Sequence, residues 1–172
     1  YRGDDRMVKK NTKKDFKKIK LLVLDFDGVM TDNKVYVDED GKEIVCCSRA
    51  DGLGIEQIKK RGIKVIVLSK EKNKVVSARC KKLKIKSIQG INNKVKILKQ
   101  IVKKLKISLS EVCYLGNDIN DIECVKLVGL GCAVRDSHFK LLKVADYITK
   151  NKGGNGAIRE ICDLILKKHE FL

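Results

Sequence analysis

Five short, mostly apolar runs constrain this chain more than any other feature; they fall at residues 21–25, 64–68, 85–88, 112–115 and 131–134. Each is too short for a typical helix, and several are apolar at successive positions, so both faces need cover. Between them, segments near 53–61, 72–82, 93–105, 119–127 and 155–168 carry apolar residues at helical spacing. Two-sided strands alternating with amphipathic helices predict an α/β fold, a mainly parallel sheet with helices on both faces. Val35-Tyr36-Val37, then Asp40-Gly41, then Ile44-Val45 interrupt the alternation and predict a β-hairpin.

A length of 172 residues suits one domain. Residues 1–19 are charged and aperiodic, so they read as a flexible leader before a domain over 20–172. Tyr1 at the start and Met7 within the leader suggest a tag remnant or a piece of a longer protein. A hydrophobic fraction of 43% is enough for a core. No apolar run approaches the ~18 residues of a membrane helix, and no secretion signal is visible. Seven cysteines without a Cys-x-x-Cys pair, and only two histidines, argue against a zinc site. Cys113 and Cys132 lie in apolar runs as small hydrophobes, and the odd thiol count points to a reducing cytoplasm. The net charge of +17 raises nucleic-acid binding as an option. Lysine dominates that charge and is spread over every predicted helix, while aromatics are 5% and Trp is absent. That pattern describes a solvated surface that would attract anions, with little for base stacking, and no nucleic-acid partner is expected.

Polar chemistry collects where the predicted strands end, the edge at which open α/β sheets bind ligands. The first run closes in Asp25-Phe26-Asp27-Gly28. Alternation places both carboxylates on one side of the chain, and Gly28 lets the backbone turn away. Two like charges there call for a cation or a proton. Ser69 ends the second strand; Gly116-Asn117-Asp118 ends the fourth, with Asp121 a turn later; Lys94 opens the helix before it. Alone, Ser69 reads as a helix cap, Lys94 as surface, and Gly-Asn-Asp as a turn. Together they suit a divalent cation with oxygen ligands and a phosphate held by cation, hydroxyl and ammonium.

These residues resemble the four motifs of haloacid-dehalogenase superfamily phosphatases over about residues 20–168, a family with a Rossmann-like sheet. The resemblance implies Asp25 as nucleophile, Asp27 as general acid and base, and Lys94 as a catalytic and phosphate-binding residue beside Ser69. It implies Mg2+ held by Asp25, the Asp27 carbonyl, and Asn117 or Asp118 of the fourth motif. Only a hairpin and one helix separate the first two motifs, so no cap domain fits. Ser48-Arg49-Ala50-Asp51-Gly52-Leu53-Gly54-Ile55 and Gly153-Gly154-Asn155-Gly156-Ala157-Ile158-Arg159-Glu160 look like the capless sugar-acid phosphatases. That group acts on 3-deoxy-octulosonate 8-phosphate or 2-keto-3-deoxynononate 9-phosphate and typically forms homotetramers in which a neighbour's tail closes the site. The glycine run would then cover a partner's pocket, with Arg159 an anion contact, or else be a turn before the last helix. Glu71 and Lys82 resemble the nine-carbon pattern, Glu71 meeting hydroxyls and Lys82 the sugar carboxylate. That favours a nononate or acylneuraminate 9-phosphate in sialic acid biosynthesis. Asn117 replaces the family's usual Asp and removes a charge from the metal site. The alternative is a weakly active or inactive oligomerisation domain like the C-terminal part of acylneuraminate cytidylyltransferases.

Overall fold

The computed structural model describes residues 16–169. Its centre is a six-stranded sheet in the order β5-β4-β1-β6-β7-β8. The strands are β1 (Leu21–Leu24), β4 (Lys64–Leu68), β5 (Lys86–Ile88), β6 (Val112–Gly116), β7 (Leu130–Ala133) and β8 (Tyr147–Ile148). All neighbouring pairs are parallel. The chain runs outward from β1 to β4 and β5, then returns to β6 on the other side. Strand order therefore reverses at β1, opening a crevice at its carboxyl end. The hairpin pairs β2 (Tyr36–Val37) with β3 (Glu43–Ile44) outside this sheet.

Alternation along β1 shows why the run had to be apolar throughout. Leu22 and Leu24 enter one core with Ile55 and Ile58 of α1 (Arg49–Lys60), Val76 and Cys80 of α2 (Lys74–Leu83), and Ile158 and Ile161 of α6 (Ala157–His169). Leu21 and Val23 enter the other with Leu98 and Val102 of α3 (Lys94–Leu105), Cys124 of α4 (Ile122–Leu127) and Leu141 of α5 (Phe139–Leu142). All four β1 side chains are fully buried. The helices begin where short polar side chains accept their free amides: Ser48 for α1, Asn73 for α2 and Asn93 for α3. All seven cysteines are free, and Cys113 and Cys132 face each other across adjacent strands at 3.7 Å.

Some expectations shift. The segment expected as one helix over 119–127 is a 3-10 turn at Ile119–Asp121 followed by α4, because Asp118 caps the turn separately. β8 and α5 carry too few residues to show a period. Within the expected leader, Phe16–Lys18 forms a 3-10 turn, Phe16 meets the Tyr147 ring edge-on at 6.0 Å, and Ile19 is buried. The rest of that leader lies outside the described residues. No helix among the described residues is long and apolar enough to cross a membrane.

Candidate active site

Asp25 follows β1 directly, and its N–H still donates to the Leu115 carbonyl of β6 at 3.0 Å. Its carboxylate Oδ1 accepts from the Phe26 N–H at 2.8 Å and from Lys94 Nζ at 2.8 Å. Lys94 is the first residue of α3 and also reaches Asp121 Oδ1 at 2.8 Å. A cation at a helix N-terminus opposes the helix dipole, and the two carboxylates offset that cost. Asp121 is fully buried and fully engaged: Oδ1 also accepts from Tyr114 Oη at 2.7 Å, and Oδ2 from the Asn117 N–H at 3.0 Å. Asp121 thus anchors Lys94 and the turn after β6, and is not free to bind a ligand.

The electrostatics follow from burial. Asp25, Lys94 and Asp121 are each 5% exposed or less, and carry a net negative charge when all are ionised. Burial first, and then the charge of Asp121, push the Asp25 carboxyl up to about 7, against the pull of Lys94. Burial works against the Lys94 charge, but the two carboxylates outweigh it and hold its pKa above the ordinary lysine value. Burial and Asp121 raise Tyr114 well above the ordinary phenol range, so it remains a proton donor to Asp121. Asp27, half-buried, is raised by burial, then by Glu71 and Glu43.

The turn after β1 is built by close backbone approach. Gly28 has φ +78°, and a Cβ there would stand 1.9 Å from Asn117 Nδ2. Buried Thr31 Oγ1 accepts from the N–H groups of Gly28 at 3.0 Å and Asn33 at 3.2 Å. A Cβ on Gly153 would lie 1.8 Å from the Gly28 carbonyl oxygen, and the Gly154 N–H donates to the Val29 carbonyl at 2.9 Å. The glycine run therefore braces the turn after β1 of its own chain.

The oxygen-bearing groups that adjoin this turn in the chain or in space are the Asp25 carboxylate, the Asp27 main chain and the Asn117 amide, whose Nδ2 lies against Gly28. An oxygen set with net negative charge fits a hard divalent cation. Among the described residues no three His, Cys, Asp or Glu side chains converge as ligands. Asp118 is exposed, and its Oδ1 accepts from the Ile119 N–H at 2.6 Å, a local cap.

Ser69 is buried at the end of β4, its Oγ accepting from the Glu71 N–H at 3.2 Å. A cavity of about 220 Å³ opens beside Asp27, lined also by Asn33, Lys34, Glu43, Glu71 and Asn73. Lys34, Glu43 and Asn73 went unnoticed in the sequence because no motif marks them; the hairpin and the start of α2 carry them there. Asp121 and Tyr114 were also missed as a pair, although a lone Tyr inside an aliphatic strand was a visible signal. Lys82 is not at the cavity. It is exposed in the last turn of α2, about 12 Å along the axis from the end that faces the site. Arg159 is also away from it: Nε pairs with Asp163 at 2.8 Å, and its N–H donates to Asp51 Oδ1 at 2.8 Å.

Residues 1–161 match the family described as haloacid dehalogenase-like hydrolase. The 3-deoxy-D-manno-octulosonate 8-phosphate phosphatase of Escherichia coli K12 is 39% identical over 149 residues, covering 86% of this chain and 79% of the relative. A crystal structure of that phosphatase from Moraxella catarrhalis, in complex with magnesium, phosphate and KDO, superposes with a TM-score of 0.88 at 37% identity, covering 90% of each chain. The cobalt-bound Haemophilus influenzae phosphatase gives 0.86 at 29% identity, covering 90% of this chain and 91% of that one. A buried carboxylate–lysine–carboxylate triad at the strand ends of such a fold places the chain: it belongs to the haloacid dehalogenase-like hydrolases, as a phosphoric monoester hydrolase.

Proposed function

We propose that the chain hydrolyses a 2-keto-3-deoxy sugar-acid phosphate with Asp25 as nucleophile. The observation that carries this is the buried Asp25–Lys94–Asp121 triad, whose Asp25 is two residues along the chain from Asp27, an acid that lines the cavity. The Asp25 carboxylate attacks phosphorus, the bond from phosphorus to the sugar oxygen breaks, and Asp27 protonates the departing oxygen. Its raised pKa suits that role. Asp27 then takes a proton from water, which attacks the aspartyl-phosphate, releasing phosphate and restoring Asp25. Ser69 Oγ and Lys94 Nζ hold phosphoryl oxygens, Lys94 also screening Asp25 from the incoming anion. Mg2+, held by Asp25, the Asp27 carbonyl and Asn117, would neutralise phosphoryl charge and align the phosphorus for attack. Asp118, engaged as a cap, would act on it through water.

The names of the relatives support 3-deoxy-octulosonate 8-phosphate as substrate. The nine-carbon reading, a nononate or acylneuraminate 9-phosphate, keeps Glu71 at the cavity but loses Lys82 within the chain. A cytoplasmic enzyme agrees with the seven free thiols. A homotetramer agrees with the apolar hairpin, whose Tyr36 and Ile44 are 69% and 64% exposed. Arg159 and the residues after it would then serve a neighbour's site. The test is phosphate release from the eight- and nine-carbon substrates, with Mg2+ and with chelator. Asp25→Asn is expected to lower turnover at least about 10³-fold, and chelation to abolish it. Equal turnover by wild type and Asp25→Asn rejects the mechanism. A stable oligomer with no turnover on either substrate supports the oligomerisation domain instead.

A further inference from the structure

The cavity wall differs in sign from the rest of the molecule. The chain carries a net charge of +17, yet the cavity is lined by three carboxylates, Asp27, Glu43 and Glu71, and one cation, Lys34. Carboxylates do not draw in a phosphate, so the two glutamates need another purpose. They are acceptors, matched to the hydroxyl groups of a polyol. A sugar acid also carries a carboxylate, and Lys34 is the one cation in a wall whose remaining lining is the three carboxylates, two asparagines and apolar side chains.

Both hairpin-side residues are placed for that division of work. Lys34 directly follows the tight turn that Thr31 Oγ1 closes at Asn33, and its N–H donates to Asp32 Oδ1 at 3.2 Å. Its ammonium makes no ion pair among the described residues. Glu43, on β3, is held by a hydrogen bond from Asn73 Nδ2. Asn73 is itself fixed, its Oδ1 accepting from the Val75 N–H at 2.9 Å and its N–H donating to Gln89 Oε1 at 2.9 Å. The hairpin is thereby pinned to the start of α2, presenting Glu43 as an oriented acceptor across the cavity mouth.

We propose that Lys34 and Glu43 form the subsite for the non-reacting end of the substrate, Lys34 pairing with the sugar carboxylate and Glu43 accepting from its hydroxyls. This rests on the phosphatase reading and assigns to Lys34 the role that Lys82 is too distant to play.

The experiment measures kcat and KM of the Mg2+-loaded chain for 3-deoxy-octulosonate 8-phosphate and for p-nitrophenyl phosphate, which has neither carboxylate nor hydroxyls. Lys34→Gln is expected to raise KM for the sugar-acid phosphate about tenfold, with kcat little changed, and to lower the selectivity ratio of the two kcat/KM values by a similar factor. Lys34→Arg should restore most of it. Glu43→Ala should lower the same ratio, whereas Glu43→Gln, which still accepts, should keep it within about threefold. An unchanged ratio in Lys34→Gln and Glu43→Ala, or a loss equal on both substrates, overturns the subsite. If the wild type hydrolyses neither these compounds nor a nine-carbon sugar-acid phosphate, the phosphatase reading itself falls, and the subsite with it.

Discussion

Asp25 shows how far a single residue's chemistry depends on its neighbours. In a turn exposed to water it would be an ordinary carboxylate; here burial and Asp121 raise it to about 7, and Lys94 limits the rise. In the proposed mechanism the ionised form is the metal ligand and nucleophile, so below that value a cation would first displace a proton. Affinity for Mg2+ should therefore increase up to about tenfold per pH unit as pH approaches about 7 from below and level off above it, as calorimetric titration across pH 5–9 would show. A flat profile through this range would mean that Asp25 is already ionised without metal. Lys94 could be noticed in the sequence as a lysine at a helix start, but nothing local announces its double partnership. That arrangement comes from α3 crossing back over the sheet to deliver it between β1 and β6.

At the scale of elements, two turns and a glycine run depend on one another. The turn at Gly28 lies between the Asn117 amide and the Gly153 backbone, with no space for a side chain. Gly28→Ala should combine strain at φ +78° with a clash, costing about 2 kcal/mol or more in urea unfolding and most of the activity. Gly41→Ala is the control, since φ is +75° but nothing lies within 4 Å; only the backbone cost of about 1 kcal/mol should appear, with activity retained. Similar losses in both variants would mean that the crowding does not matter. The strands and main helices were legible because period and capping residues are local. β8 and α5 were not, because a two-residue strand exists only where a sheet edge offers it partners. The glycine run read either as a cover for another subunit, on the family resemblance, or as a turn before the last helix; its packing against Gly28 and Thr31 within the chain could not be seen from local sequence.

For the molecule as a whole, the hairpin is the feature that one chain leaves unfinished. Val35, Tyr36, Val37 and Ile44 are all about half exposed or more, an apolar face that water does not favour. If the proposed tetramer buries it, Tyr36→Asp combined with Ile44→Asp should reduce the mass seen by light scattering on a sizing column, whereas Lys82→Ala should not. An unchanged mass would place the interface elsewhere. The same hairpin carries Glu43, so the assembly and substrate selection would be linked through one short element.

The amino-acid sequence by itself determined the layered α/β architecture and marked Asp25, Asp27, Ser69 and Lys94 as candidates at the ends of its elements. Those are matters of periodicity and of motif, both written in neighbouring residues. Tertiary structure alone decided that Asp121 and Tyr114 anchor Lys94, and that Lys34 and Glu43, not Lys82, line the cavity. These depend on which segments a crossover or a hairpin brings together, and such contacts join residues whose sequence separation carries no signal.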